Sequence, residues 1–108
     1  MKAILIDPWE KSLATINLKS GSGPTVLREL YDLVGEDGLD FNVLKKGECI
    51  VVGDHSALQI PVWPHFQIEK HMYYGRAVIL GYTKGGGECD TAFSVDDISQ
   101  IITWYPGK

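Results

Sequence analysis

GRAVILGY, residues 75–82, is the most apolar strand-length run in the chain. Its Ala-Val-Ile-Leu core places a strand at the centre of a sheet, and the flanking segments must be fitted around it. Downstream, TKGGG (83–87) reads as a turn and ECDTAF (88–93) as a returning strand. Ser94 with Asp97 three residues on forms a capping box, with Asp in the usual Glu place. Val95, Ile98, Ile101 and Ile102 follow at helical spacing and predict a helix that ends by WYPG (104–107).

Upstream, KAILID (2–7) and LATINL (13–18) flank DPWEKS (7–12) and read as an antiparallel hairpin. SGSG (20–23) breaks the chain, Pro24 suits a first helical turn, and Ser22 or Gly23 could cap it. Val26, Leu27, Leu30, Tyr31, Leu33 and Val34 recur at offsets of three and four, so residues 25–34 form an amphipathic helix ended by Gly35. LDFNVL (39–44) and ECIVVG (48–53), joined through Lys45-Lys46-Gly47, read as a second hairpin. Residues 55–71 sustain no period. Pro61 and Pro64 exclude a central strand there, leaving Phe66 and Ile68 as a short edge strand.

Strands, helix, strands, helix is the order of an α+β fold. The expectation is an antiparallel or mixed sheet of about five to six strands with two helices packed on one face. At 108 residues the chain makes a single domain, 1–108, large enough to fold without disulfides or metals. It is 44% hydrophobic and 22% charged, with a net charge of -4. Nucleic acid is not an expected partner, because the basic residues are scattered and form no stripe. Glu36, Asp37 and Asp40, and again Glu88, Asp90, Asp96 and Asp97, read as solvated acidic surface, or as a face for a basic partner. Cys49 and Cys89 form no CxxC, and no signal or membrane segment is legible, so reduced thiols and a cytoplasmic location are expected.

HSALQIPVWPHFQIEKH (55–71) holds all three histidines, His55, His65 and His71. Gaps of ten and six residues across two prolines force no convergence, so neither a metal site nor a cofactor is expected. Asp54 and His55 are adjacent, which seldom lets an orienting carboxylate face its imidazole. Cys49 or Cys89 with His71 would make a thiol pair, but Cys49 lies in an apolar strand where thiols are inert. TKGGGE has its lysine before the glycines, unlike a P-loop, and reads as a hairpin loop. Trp63, in a proline-flanked loop, and Trp104 are candidates for an exposed aromatic patch of the kind that anchors interfaces. A homodimer through an edge strand or the last helix is expected to cover the sheet's edges.

KAILIDPWEKSL, the strand and turn GECIVVGD, and YYGRAVILGY followed by a late Asp together resemble a family of small domains of unknown function carried by bacteriophages and prophages. The resemblance covers nearly all of residues 2–104. It implies no catalytic residue, but a small protein of the bacterial host cytoplasm that acts by binding: it blocks a host enzyme or a defence complex, or sequesters a signalling nucleotide.

Three functions follow as expectations. The leading one is a non-enzymatic binding protein that presents Trp63, His65, Tyr73, Tyr74, Asp54 and His55 to an unidentified protein partner. The first alternative is a small-molecule or nucleotide binder in which Arg76, Lys84, Gly85, Gly86 and Gly87 meet the phosphates and an aromatic stacks on the base. The second is a metal- or thiol-dependent enzyme using the three histidines and a cysteine.

Overall fold

The computed structural model describes residues 1–19, 24–36, 38–59, 62–85 and 87–107. In chain order the elements are β1 (Lys2–Asp7), β2 (Ser12–Asn17), α1 (Pro24–Val34), β3 (Leu39–Lys45), β4 (Glu48–Gly53) and α2 (Asp54–Leu58). They continue as β5 (His65–Ile68), β6 (His71–Tyr74), β7 (Ala77–Tyr82), β8 (Glu88–Cys89), α3 (Val95–Ser99) and β9 (Ile102–Tyr105). β2, β1, β7, β4 and β3 lie side by side in that order, and β8 pairs with the far end of β7. A second, three-stranded sheet runs β6, β5, β9. All of these pairings are antiparallel. The strand predicted from residues 75–82 does lie at the middle of the large sheet.

Strand alternation on β1, β7 and β4 builds two cores, one on each face of that sheet. Ile4, Ile79 and Ile50 stand in register and point one way. With Ile6, Val52 and Ala77 they meet Phe66, Ile68 and Tyr73 of the small sheet and Ile98 of α3. Val78 and Val51, in register with each other, point the other way. With Ala3, Cys49 and Leu80 they meet Val26, Leu30 and Val34 of α1. The layers are therefore α1, the large sheet, then the small sheet with α3.

The α+β expectation holds at that level, and the placing of two helices on one face does not. α1 and α3 pack on opposite faces, and a second sheet takes the place given to the second helix. Ile101 and Ile102 keep helical spacing with Ile98, but α3 stops at Ser99. The run Ile-Thr-Trp-Tyr that follows is β-branched and aromatic, and it becomes β9. β5 is the centre of its sheet, not an edge, because Pro64 precedes the strand and its missing N–H takes nothing from the ladder. Pro61, like the capping candidates Ser22 and Gly23, lies outside the described residues.

The returning strand after the TKGGG loop is only two residues long. The chain beyond it is fixed by a buried carboxylate. Glu48 accepts hydrogen bonds from the Thr91 hydroxyl and from the Ala92 N–H, the latter at 3.1 Å. Thr91 N–H donates to the Lys2 carbonyl at 3.0 Å. α3 then opens on the expected capping box: Asp97 N–H donates to Ser94 Oγ at 3.1 Å, and Ser94 N–H to the Asp97 carboxylate at 2.8 Å. Those bonds from Ser94 hold the Asp97 carboxyl below the usual range.

Candidate functional site

The connections at one end of the large sheet converge. Ile6 and Val52 both pair with Ala77, and Leu39 pairs with Gly53. The end of β1, the end of β4, the start of β3 and the start of β7 are therefore neighbours. Asp7 leaves β1 into the turn that carries Trp9. One oxygen of its carboxylate accepts the Trp9 N–H at 3.0 Å and the Glu10 N–H at 3.3 Å. The other accepts Nε–H of Arg76 at 3.3 Å. The Arg76 guanidinium lies 5.0 Å from the Trp9 ring centroid, a cation–π distance. Trp9 meets Trp63 edge-on at 5.2 Å, and Trp63 stacks on His55 at 4.4 Å.

His55 is held from behind by Glu36. Oε1 of Glu36 accepts the His55 backbone N–H at 2.8 Å and lies 2.5 Å from its ring Nδ1. The Glu36 side chain is 2% exposed, while that of His55 is 45% exposed. The carboxylate reaches this position only because Gly53 has no side chain: a Cβ there would overlap the Glu36 carboxyl group. A Cβ on Gly38 would likewise overlap the carboxylate of Asp54. Trp63 closes the arrangement by lying over Gly75, where a Cβ would come within 3.0 Å of its ring. Among the described residues, Oε2 of Glu36 has no hydrogen-bond partner.

The structure brings together some of the sequence candidates and separates others. Asp54, His55, Trp63 and Arg76 share this end of the sheet. Lys84 and Gly85 lie beyond the other end of β7, which at about 3.3 Å per residue is a full strand length away. A phosphate site combining Arg76 with the glycine loop is therefore not formed, and Gly86 lies outside the described residues. His65 is the middle of a three-ring row across the small sheet, between Tyr74 at 4.5 Å and Tyr105 at 5.2 Å. Its Nδ1–H donates to the Trp63 carbonyl at 3.0 Å. Two of the three histidines thus touch Trp63, one through the ring and one through the backbone. Tyr73 is core, 6% exposed and packed on Phe66, so it presents little to a partner, and burial raises its hydroxyl pKa. His71 lines a separate groove of about 320 Å³ with Asp40, Asn42, Ser56 and Tyr73. Among the described residues no group of three or more His, Cys, Asp or Glu could hold a metal ion.

Glu36, Trp9 and Asp7 were not among the sequence candidates. By sequence Glu36 reads with Asp37 and Asp40 as solvated surface or as a face for a basic partner, and both readings put its side chain in solvent, whereas the structure buries it. The signal lies in the glycines at 38, 53 and 75, which leave room for side chains from elsewhere in the chain.

Chemically the Glu36–His55 pair fixes which ring nitrogen faces the carboxylate and leaves Nε2 for another hydrogen bond. Ser56 is no nucleophile for it, being buried and accepting the Tyr74 N–H at 3.0 Å. Neither cysteine lies at this end, since Cys49 pairs with Leu80 and Cys89 with Gly81. Burial, then the charges of Glu48 and Glu88, push the Cys49 thiol up to about 11. At pH 8 about one molecule in a thousand carries that thiolate. Thiol labelling of the native protein at pH 8 is expected to modify Cys89 well ahead of Cys49, with both labelled after unfolding. A Cys49 that reacts as fast as Cys89 contradicts this environment.

Comparison with protein-family models, with curated proteins and with solved structures finds no match to this chain. Among the described residues no helix is long and apolar enough to cross a membrane.

Proposed function

We propose that this is a non-enzymatic binding protein of phage or prophage type, acting by inhibition of a protein of its bacterial host. It engages that partner through the face where Trp9, Trp63, His55 and Arg76 meet. The observation that carries this reading is the convergence itself: two tryptophans, a histidine and an arginine from four segments, each held by a neighbour. Tryptophan and arginine dominate the energetic centres of interfaces. Asp7 orients Arg76 and Glu36 orients His55, so little side-chain freedom is lost on contact. Asp7 and Asp54 outnumber Arg76, which favours a partner with basic groups at the contact. The phage assignment rests on the resemblance of the strand and turn motifs alone.

The test is capture from bacterial lysate with the full chain and with a Trp9→Ala/Arg76→Ala variant, followed by titration of each captured protein. The variant is expected to bind at least about 30-fold more weakly, with its circular dichroism unchanged. Equal affinity of both proteins for every captured partner refutes the assigned face.

A further inference from the structure

We infer that β3 pairs with β3 of a second copy of this chain, joining two large sheets into one continuous sheet about a two-fold axis. Among the described residues the large sheet ends in two open edges, β2 and β3. They differ in what they show to solvent. β2 exposes Ser12, Ala14, Thr15 and Asn17, which are small or polar. β3 exposes Phe41 at 47% and Val43 at 67%. The edge carries large apolar side chains and no proline, and its one lysine and its one register shift both lie beyond Val43, so residues Leu39 to Val43 offer a regular edge for strand addition.

Phe41 and Val43 lie opposite Val51 and Cys49, on the face that α1 covers elsewhere. The helix does not shield them. Glu29 and Leu33 on one of its flanks line a depression with Ile16 and Leu18, toward β2. Helical geometry puts Leu27 and Tyr31 on the opposite flank, toward β3, and both are more than a third exposed. The apolar surface therefore continues from the edge strand onto the helix.

Charge selects a second copy as the occupant. β3 carries Asp40 near its start and Lys45 at its end. An antiparallel pair centred on Asn42 sets Phe41 against Val43 of the other copy, twice. It also brings Asp40 beside the other copy's Lys45. The two charges share a sheet face: Asp40 lies opposite Val52, and Lys45 sits over the ring of Phe93, which packs on the same core as Val52. A strand that is acid at one end and basic at the other is complementary to its own reverse. This dimer leaves the Trp9–Trp63 face of each copy free.

Sedimentation at high micromolar concentration tests the pairing, using the full chain, Val43→Lys and Asp40→Lys, with circular dichroism as the control for folding. The full chain is expected to have the mass of two copies. Val43→Lys is expected to be monomeric, and Asp40→Lys to dissociate at least about tenfold more readily at low salt. A monomeric full chain overturns the inference. So does a dimer that survives both substitutions, or one dissolved by Trp9→Ala instead. The first two of these outcomes leave partner capture through the tryptophan face untouched, whereas the third would make that face the site of self-association.

Discussion

Gly53→Ala is expected to lower the melting temperature by roughly 10 °C and to free the His55 ring from its carboxylate. The backbone is not the obstacle, since Gly53 has φ -90 and ψ 173, a conformation open to any residue. The obstacle is the Glu36 carboxyl group, which occupies the space a Cβ would take. The side chain must leave. His55 N–H and Nδ1 then lose their shared acceptor, and a half-buried pair is replaced by a void and unmet donors. Such losses cost about 2–4 kcal/mol. The cycle with Glu36→Ala isolates the cause. In a Glu36→Ala background the added methyl meets no carboxyl group, so Gly53→Ala is expected to cost about 0.5 kcal/mol or less. Thermal melts of the four proteins measure the coupling. Additive losses sink the steric account, and so does a Gly53→Ala protein that melts with the parent.

That site shows where sequence reading stops. His55, Trp63 and Arg76 were legible because histidine, tryptophan and arginine are chemically conspicuous in a loop. Glu36 was not, because one carboxylate among acidic neighbours looks like surface. Its burial depends on glycines far away in sequence whose only signal is absence of bulk. The separation of Arg76 from Lys84 was not read either, although β7 between them had been recognised as a strand. A strand holds its two ends apart, and this alone excludes a joint phosphate site. In the fold, β1, β4 and β7 are legible as short apolar runs bounded by turn residues, β2 and β3 by their alternation, and α1 by its offsets of three and four. Of the small sheet only β5 is, as the short strand at Phe66 and Ile68, and not as a central one. Its strands are four residues long, two of them interrupted from one another by turns, and a span that short shows too little alternation to distinguish a strand from a loop.

Phe66→Ala is expected to remove about 3–5 kcal/mol of stability, a large part of what a domain of this size has. Phe66 is fully buried at the centre of β5. Its ring lies 5.5 Å from Tyr73 and 6.2 Å from Trp104, its register neighbours on β6 and β9. All three reach the core that Ile4, Ile50 and Ile79 contribute from the large sheet. The ring is thus the central contact by which the small sheet holds to the large one, and no smaller residue nearby can fill its volume. Phe66→Leu keeps most of that volume and should cost about 1.5 kcal/mol or less. The two cores need not respond alike, because Val26, Leu30 and Val34 touch only the far face. Yet the strands that separate the cores belong to both: in β1, β7 and β4 alternate residues face α1 and the small sheet. Loosening one face lets those strands shift and disturbs the other. A single unfolding transition at lower denaturant is therefore expected for Phe66→Ala, with hydrogen-exchange protection reduced in β1, β4 and β7 as well as in β5, β6 and β9. If instead the small sheet alone loses protection while the α1 layer keeps the parent's stability, the central sheet does not couple its two faces, and the layers unfold as independent units.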